Sequence, residues 1–304
     1  MIDIVSDSLN EIHKKVFTHF AKDYQFESAP RGLKIREELV TRIELTNPRN
    51  RLIQSAARNP NYGFAVGELC WYIRGDIDLE TMLYYNKRMS LFSDDGKTIN
   101  SAYGARIFNE GALIDVQPSQ FYLCVEELIR DNDSRRAVMH INQPRDLRKA
   151  VQFGSKDVPC TMSLQLFIRN KKLYMHTLMR SNDIVWGMPY DIFSFTSLQE
   201  IFFIILKQNG VDIEDIGSYY HTAGSLHIYS DHFEMAEKVS NEEMVNVSPM
   251  EPYDIDDISE IVQSIEPDLR NKLDINCDKI TNTSSKWMID QLISHRNKRT
   301  NEAK

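Results

Sequence analysis

Cysteine is scarce and unpatterned in this chain: Cys70, Cys124, Cys160 and Cys277 form no CxxC pair. That excludes a disulfide-built scaffold and argues against structural zinc, so reduced thiols and no metal are expected. Long hydrophobic runs are missing as well. The longest, Ile201 to Leu206 (IFFIIL), is far shorter than the roughly 20 residues a membrane-spanning helix needs. The opening stretch MIDIVSDSLNEIHKK carries acids where a secretory leader has basic and then apolar residues, so a cytoplasmic chain is expected. Nor is there an excess of positive charge. With 36 Lys and Arg against 44 Asp and Glu, the net charge of -8 argues against a broad nucleic-acid footprint, although clustered arginines can still hold isolated phosphates. Internal repeats and low-complexity segments are absent.

What is present is an ordinary globular composition: 304 residues, 42% hydrophobic and 26% charged, enough to bury a sizeable core. Leu9, Ile12, Val16 and Phe20 recur at helical spacing. The segment SAPRGLKIRE then breaks the pattern into a loop carrying Arg31, and NPRNR (Asn47 to Arg51) reads as a second basic turn. VGELCWYIRGD is an apolar helix that Gly75 and Asp76 end. From Met162 to Met179 the period changes to two, with Asn170-Lys171-Lys172 as a turn, which predicts a β-hairpin. Phe195, Leu198, Ile201, Phe202 and Leu206 predict a buried helix, and GSYYHTAGSLHIY a strand leading into a helix near Asp231. This interleaving predicts one α/β or α+β domain over residues 1–240. Residues 241–304 shift toward acids with another helical stripe (Ile255, Ile258, Val262, Ile265), predicting a helical C-terminal extension whose last ten residues fray.

The chemistry-bearing residues are few. Cys160 stands where the chain enters the hairpin, and Arg180 stands at its far end, where a guanidinium favours a thiolate. Arg31, Arg135-Arg136 and Arg180 are the forked donors a phosphate monoester would use, though each alone also fits a solvated turn. His227 and Tyr229, two apart in a strand, point to one side. Glu68 within an apolar helix is costly unless paired, and burial would raise its pKa toward proton transfer. Most unusual is Asp191, a single acid opening a run of residues that should be buried.

DVPCTMSLQLF, MRSNDIVWGMPYDIFSFTSLQ and HTAGSLHIYSDH, in that order and spacing, resemble the thymidylate synthase family, and Asp191 resembles its deoxycytidylate hydroxymethylase branch. The resemblance implies the thymidylate synthase fold, a mixed β-sheet flanked by helices, and a homodimer with shared active sites. It implies a pyrimidine nucleoside monophosphate, CMP or dCMP, as substrate and 5,10-methylenetetrahydrofolate as co-substrate. By the same resemblance Cys160 is the nucleophile at ring C6. Arg31, Arg180 and Ser181 hold the 5'-phosphate, with Arg135 and Arg136 reaching it from the partner chain. His227 and Tyr229 match the sugar-hydroxyl pair, Glu68 the carboxylate that organises water and protons, Tyr103 a tyrosine near the nucleophile, and Asp183 a folate-contacting acid.

In synthases the Asp191 position holds asparagine and faces the base at N3 and C4. Uracil offers an N3–H donor and an O4 acceptor; cytosine inverts that order. A protonated carboxyl donates to N3 and accepts from N4, and an ionised one suits a protonated cytosine. The rival reading is a helix-capping aspartate. Three departures accompany it: Thr161 follows Cys160 where synthases have histidine, MSLFSDDGKTIN lacks their folate-side tryptophan pair, and the chain beyond Ser240 does not resemble their closing tail. A site open to water favours hydroxymethyl over methyl as product. The alternatives are a divergent thymidylate synthase acting on dUMP, and a nucleotide-binding regulator without turnover.

Overall fold

The computed structural model describes residues 2–108 and 119–302. Its elements begin with β1 (Asp3–Ser6), α1 (Leu9–Lys22), β2 (Phe26–Ser28), β3 (Ile35–Leu45), α2 (Tyr62–Arg74), α3 (Leu79–Tyr85), α4 (Tyr103–Phe108) and α5 (Gln120–Arg130). They continue with β4 (Val138–His140), α6 (Pro144–Phe153), β5 (Thr161–Arg169), β6 (Lys172–Met179), β7 (Asn182–Asp183) and α7 (Met188–Gln208). The chain ends with β8 (Asp215–Tyr229), α8 (Phe233–Asn241), α9 (Ile255–Glu260), α10 (Glu266–Arg270) and α11 (Thr283–Glu302). Contacts divide it into two compact units. The first comprises Met1–Pro60, Asp131–Arg136 and Cys160–Met250; the second comprises Asn61–Arg130, Ala137–Pro159 and Glu251–Lys304. No helix among the described residues is long and apolar enough to cross a membrane.

The first unit is built on a mixed sheet in the order β1-β3-β8-β6-β5, with β2 added to β3 and β7 to β8. β5 and β6 form the hairpin that the alternating pattern predicts, joined by Asn170 and Lys171 at positive φ (49° and 57°), the conformation of a two-residue hairpin turn. Leu164, Leu166, Leu173 and Met175 are buried on one face. α7 packs on β6 and β8, and α1 packs on β1, β3 and α8. Leu9, Ile12, Val16 and Phe20, the stripe read from the sequence, are fully buried. The opposite face of the sheet is less covered: Tyr174 stacks on Tyr220, and His176 bonds Thr222 at 2.9 Å.

One reading of this unit is corrected. The residues after Gly32 were expected in a loop, yet Ile35–Leu45 is strand β3, paired along its length with β8. Val40 has φ 56°, an uncommon value for a β-branched residue, and Leu39 and Val40 are both exposed, which breaks the alternation that marks a strand. NPRNR is the basic turn that the sequence predicts, closed by the Asn50 N–H on the Asn47 carbonyl at 2.9 Å, and its arginines turn inward. Arg51 is fully buried, donating to Ser197 Oγ (2.9 Å) and pairing with Glu200 of α7, while Arg49 Nε reaches Glu200 at 2.8 Å. The turn ties the start of the chain to α7 through charges that are stable only as a set.

In the second unit, α2 starts at Asn61, whose side chain caps Phe64 N–H, and ends at Gly75 in the left-handed conformation. It packs against α11, α4 and the turn of π-helix between α9 and α10. Glu266 is fully buried and accepts from Tyr85 (2.7 Å), Arg74 (2.8 Å) and Arg270 (3.1 Å). Residues 251–302 are thus part of this unit. The stretch expected to fray is helical through Glu302, with Arg299 donating to the Tyr84 carbonyl at 2.5 Å; its last two residues lie outside those described.

Candidate active site

Within the first unit, the open end of the hairpin sets the position of Cys160. The residue stands immediately before β5, partly exposed, and its carbonyl accepts the Arg180 N–H at 2.8 Å, so the last rung of the hairpin joins the two. Burial pushes the thiol up, and the positive charges of Arg180 and Arg31 oppose it, while Asp191 and Asp183 push it further up. These five residues therefore share one electrostatic neighbourhood. Arg31 is aimed by a tight turn in which it and Gly32 both take positive φ (55° and 81°).

The residues after Arg180 form the second wall. Ser181 is partly buried, and β7 then pairs in parallel with β8, setting Asn182 beside Leu226 and Asp183 beside His227. Asp183 Oδ1 accepts from Val185 N–H at 2.7 Å and from Trp186 N–H, which folds the turn into α7. Its Oδ2 is buried with no hydrogen-bond partner among the described residues. Burial raises the Asp183 pKa and lowers that of His227, each countered by the other's charge. The His227 and Tyr229 rings meet edge to face at 5.1 Å. Buried Arg58 holds the turn by donating to the Val185 carbonyl at 2.8 Å and to the Tyr190 hydroxyl at 3.1 Å.

Asp191 lies in the first turn of α7, and the N-cap position belongs to Gly187, so the carboxyl is not a helix cap. Its Oδ2 instead accepts from Asn182 Nδ2 at 2.7 Å. Burial pushes the carboxyl up to about 7, with Asn182 opposing and Asp183 reinforcing. A group poised there is a donor below neutrality and an acceptor above it.

The remaining expected residues are elsewhere. Glu68 is buried on α2 in the second unit. Tyr103, the first residue of α4, packs its ring 5.6 Å from that of Tyr72, one turn beyond Glu68 on α2. Arg135 and Arg136 are exposed in the first unit; the Arg135 carbonyl accepts from Gln165 and the Arg136 N–H donates to Ser134 Oγ at 3.1 Å.

Three residues escaped the sequence reading: Asn182, His221 and Tyr219, which continue the hydrogen bonding behind Asp191. His221 Nε2 is 2.9 Å from Asn182 Oδ1, and Tyr219 Oη is 2.9 Å from His221 Nδ1. The available signal was that Tyr219 and His221 alternate with Ala223 on the buried face of a strand, where a histidine needs partners.

Comparison with known proteins identifies the family and the fold. The family model for thymidylate synthase matches residues 39–267. Deoxyuridylate hydroxymethyltransferase of Bacillus phage SP01 is 33% identical over 242 residues, covering 77% of this chain and 61% of that protein. Deoxycytidylate 5-hydroxymethyltransferase of Enterobacteria phage T4 is 33% identical over 136 residues, covering 44% and 53%. The chain thus spans less than two thirds of either phage relative. The structure of a thermostable thymidylate synthase A from Bacillus subtilis superposes with a TM-score of 0.63 at 17% identity, covering 81% of this chain and 90% of that one. With that fold and a family match across most of its length, the chain belongs to the thymidylate synthase family.

Proposed function

We propose that this chain is a pyrimidine nucleotide 5-hydroxymethylase that adds a hydroxymethyl group to C5 of the cytosine of CMP or dCMP. The observation that carries the reading is Asp191: a half-buried carboxyl, hydrogen-bonded to Asn182 and pushed up to about 7, in the neighbourhood of Cys160, where synthases keep an amide. A neutral carboxyl with its proton on the oxygen that faces N3 matches the acceptor and donor order of cytosine.

In this reading Cys160 adds to C6, which makes C5 electron-rich. Arg180 and Arg31 serve twice, favouring the thiolate and holding the 5'-phosphate with Ser181. His227 and Tyr229 take the sugar hydroxyls. Glu68 and Tyr103 keep the water- and proton-handling roles that the family resemblance implies. 5,10-methylenetetrahydrofolate supplies the one-carbon unit as co-substrate. The unpartnered Oδ2 of Asp183 suits an N–H donor of that molecule. Water, admitted where the synthases' tryptophan pair is missing, then completes the hydroxymethyl group.

The test is to incubate the protein with methylenetetrahydrofolate and each of CMP, dCMP, UMP and dUMP, and to weigh the products. A mass gain of one hydroxymethyl group on a cytosine nucleotide is expected. A methylated uracil nucleotide with dihydrofolate release would replace this reading with a thymidylate synthase, and no product with any of the four would favour a binding protein. A uracil-directed hydroxymethylase is the second reading, favoured by the name of the phage SP01 relative.

A homodimer with shared sites is part of the proposal, with the half-covered sheet face of Tyr174, His176 and Tyr220 as its surface. Mixing inactive Cys160→Ala with inactive Arg136→Ala chains is expected to restore activity, since one heterodimer site combines an intact cysteine with an intact arginine. Absence of recovery after proven subunit exchange would place Arg136 outside the partner's site.

A further inference from the structure

The hydrogen bonds behind Asp191 run in one direction. The Asn182 amide nitrogen can only donate, so Asp191 Oδ2 accepts, at 2.7 Å. The Asn182 amide oxygen can only accept, so His221 Nε2, at 2.9 Å, carries its hydrogen. His221 Nδ1 is then the bare nitrogen and accepts from the Tyr219 hydroxyl at 2.9 Å. Asn182, His221 and Tyr219 are only 3%, 1% and 0% exposed, so water does not compete for these bonds. Burial also drops the His221 pKa to about 3, leaving the neutral ring that the pattern requires.

Such a chain matters because a neutral carboxyl by itself discriminates poorly between pyrimidines. With its proton on one oxygen it presents the donor and acceptor order of one base edge; with the proton on the other oxygen it presents the reverse. A freely tautomerising acid reads cytosine and uracil alike. The Asn182 donor breaks that symmetry, because a carbonyl oxygen accepts a hydrogen bond better than a hydroxyl oxygen does. Gly187 lies against the pair: a Cβ there would stand 2.7 Å from Asn182 Nδ2 and 3.2 Å from Asp191 Oδ2.

We propose that Asn182, oriented by His221 and Tyr219, is a specificity-determining residue that confines the Asp191 proton to Oδ1 and so commits the carboxyl to one pyrimidine edge. The inference rests on Asp191 facing the base. It is indifferent to which base is preferred, because loss of the lock moves either preference toward equality.

The experiment measures kcat/KM for CMP, dCMP, UMP and dUMP, with methylenetetrahydrofolate, on the wild type and on Asn182→Ala, His221→Phe, His221→Gln and Asp191→Asn. Asn182→Ala is expected to move the cytosine-to-uracil ratio toward one by at least about tenfold, the scale of one buried polar pairing. His221→Phe leaves the Asn182 amide unheld and moves the ratio the same way. In His221→Gln the new amide can donate to Asn182 Oδ1, and the ratio stays nearer the wild type. An unchanged ratio in Asn182→Ala, with both bases losing equally, overturns the inference and leaves a structural tie between β7, β8 and α7. If Asn182→Ala does not fold, equal ratios in the Phe and Gln variants overturn it instead. Asp191→Asn separates the two levels. If it swings the ratio while Asn182→Ala does not, only the proton lock fails. If it too leaves the ratio unchanged, base reading by Asp191 fails.

Discussion

A Cys160→Ala chain is expected to bind pyrimidine nucleotide and turn none of it over. Without the sulfur no bond forms at C6, and C5 of a pyrimidine is too weak a nucleophile to react unaided. Removing a nucleophile of this kind costs about four or more orders of magnitude in kcat. Binding survives because the phosphate and sugar contacts proposed for Arg31, Arg180, His227 and Tyr229 do not involve sulfur. Calorimetric titration with dCMP and a single-turnover assay separate the two effects. A reduced but real turnover, in protein free of wild type, would sink the covalent mechanism.

Asp191→Asn carries the next largest effect. With Asn182 turned over so that its Oδ1 accepts from the new NH2, and His221 in its other tautomer, the amide gives the acceptor and donor order that uracil needs and turns a mismatched group toward N3 of cytosine. Each buried pairing gained or lost is worth roughly 1 to 3 kcal/mol, so the relative kcat/KM should swing from cytosine toward uracil by at least about tenfold and up to several hundredfold. The product should remain hydroxymethylated, since in the proposed reaction water enters from the folate side. A pH signature accompanies the swing. Asp191 in the wild type loses its proton near pH 7, so kcat/KM for the cytosine nucleotide should fall above neutrality, a limb the uracil reaction of the variant lacks. Stability has a matching sign. The folded carboxyl holds its proton to about 7 whereas the unfolded one releases it near 3.8, so the wild type loses stability as pH rises across that interval. Asp191→Asn does not titrate there, and its Tm should gain on the wild type between pH 5 and pH 8. Unchanged base preference together with parallel Tm curves would return Asp191 to a structural role.

Much of this was legible in the sequence wherever structure follows from local spacing. The stripe of α1, the alternation of the β5–β6 hairpin and the apolar run of α7 each depend on neighbours a few residues away, and each is found as read. β3 was not legible because Val40 leaves the strand conformation in mid-run. The ion pairs of Arg49 and Arg51 were not legible because their partner, Glu200, lies on α7, far along the chain. The same reason hid the setting of Asp191. Its oddity in a buried run was visible, but Asn182 and His221 are 39 residues apart, and the parallel pairing of β6 and β7 with β8 brings them together.

The two-residue turn at Asn170 and Lys171 bears on the order of events during folding. Hairpins of this kind close in microseconds and need no distant part of the chain. Cys160 and Arg180, on its last rung, are therefore joined by a contact of low order, available as soon as the hairpin forms. The wall around Asp191 requires β8 to arrive in parallel across the whole of α7, a slower, high-order closure. The thiol and its guanidinium can thus be in register before β8 closes beside Asp191, and the later closure falls on the half of the candidate site proposed to select the base.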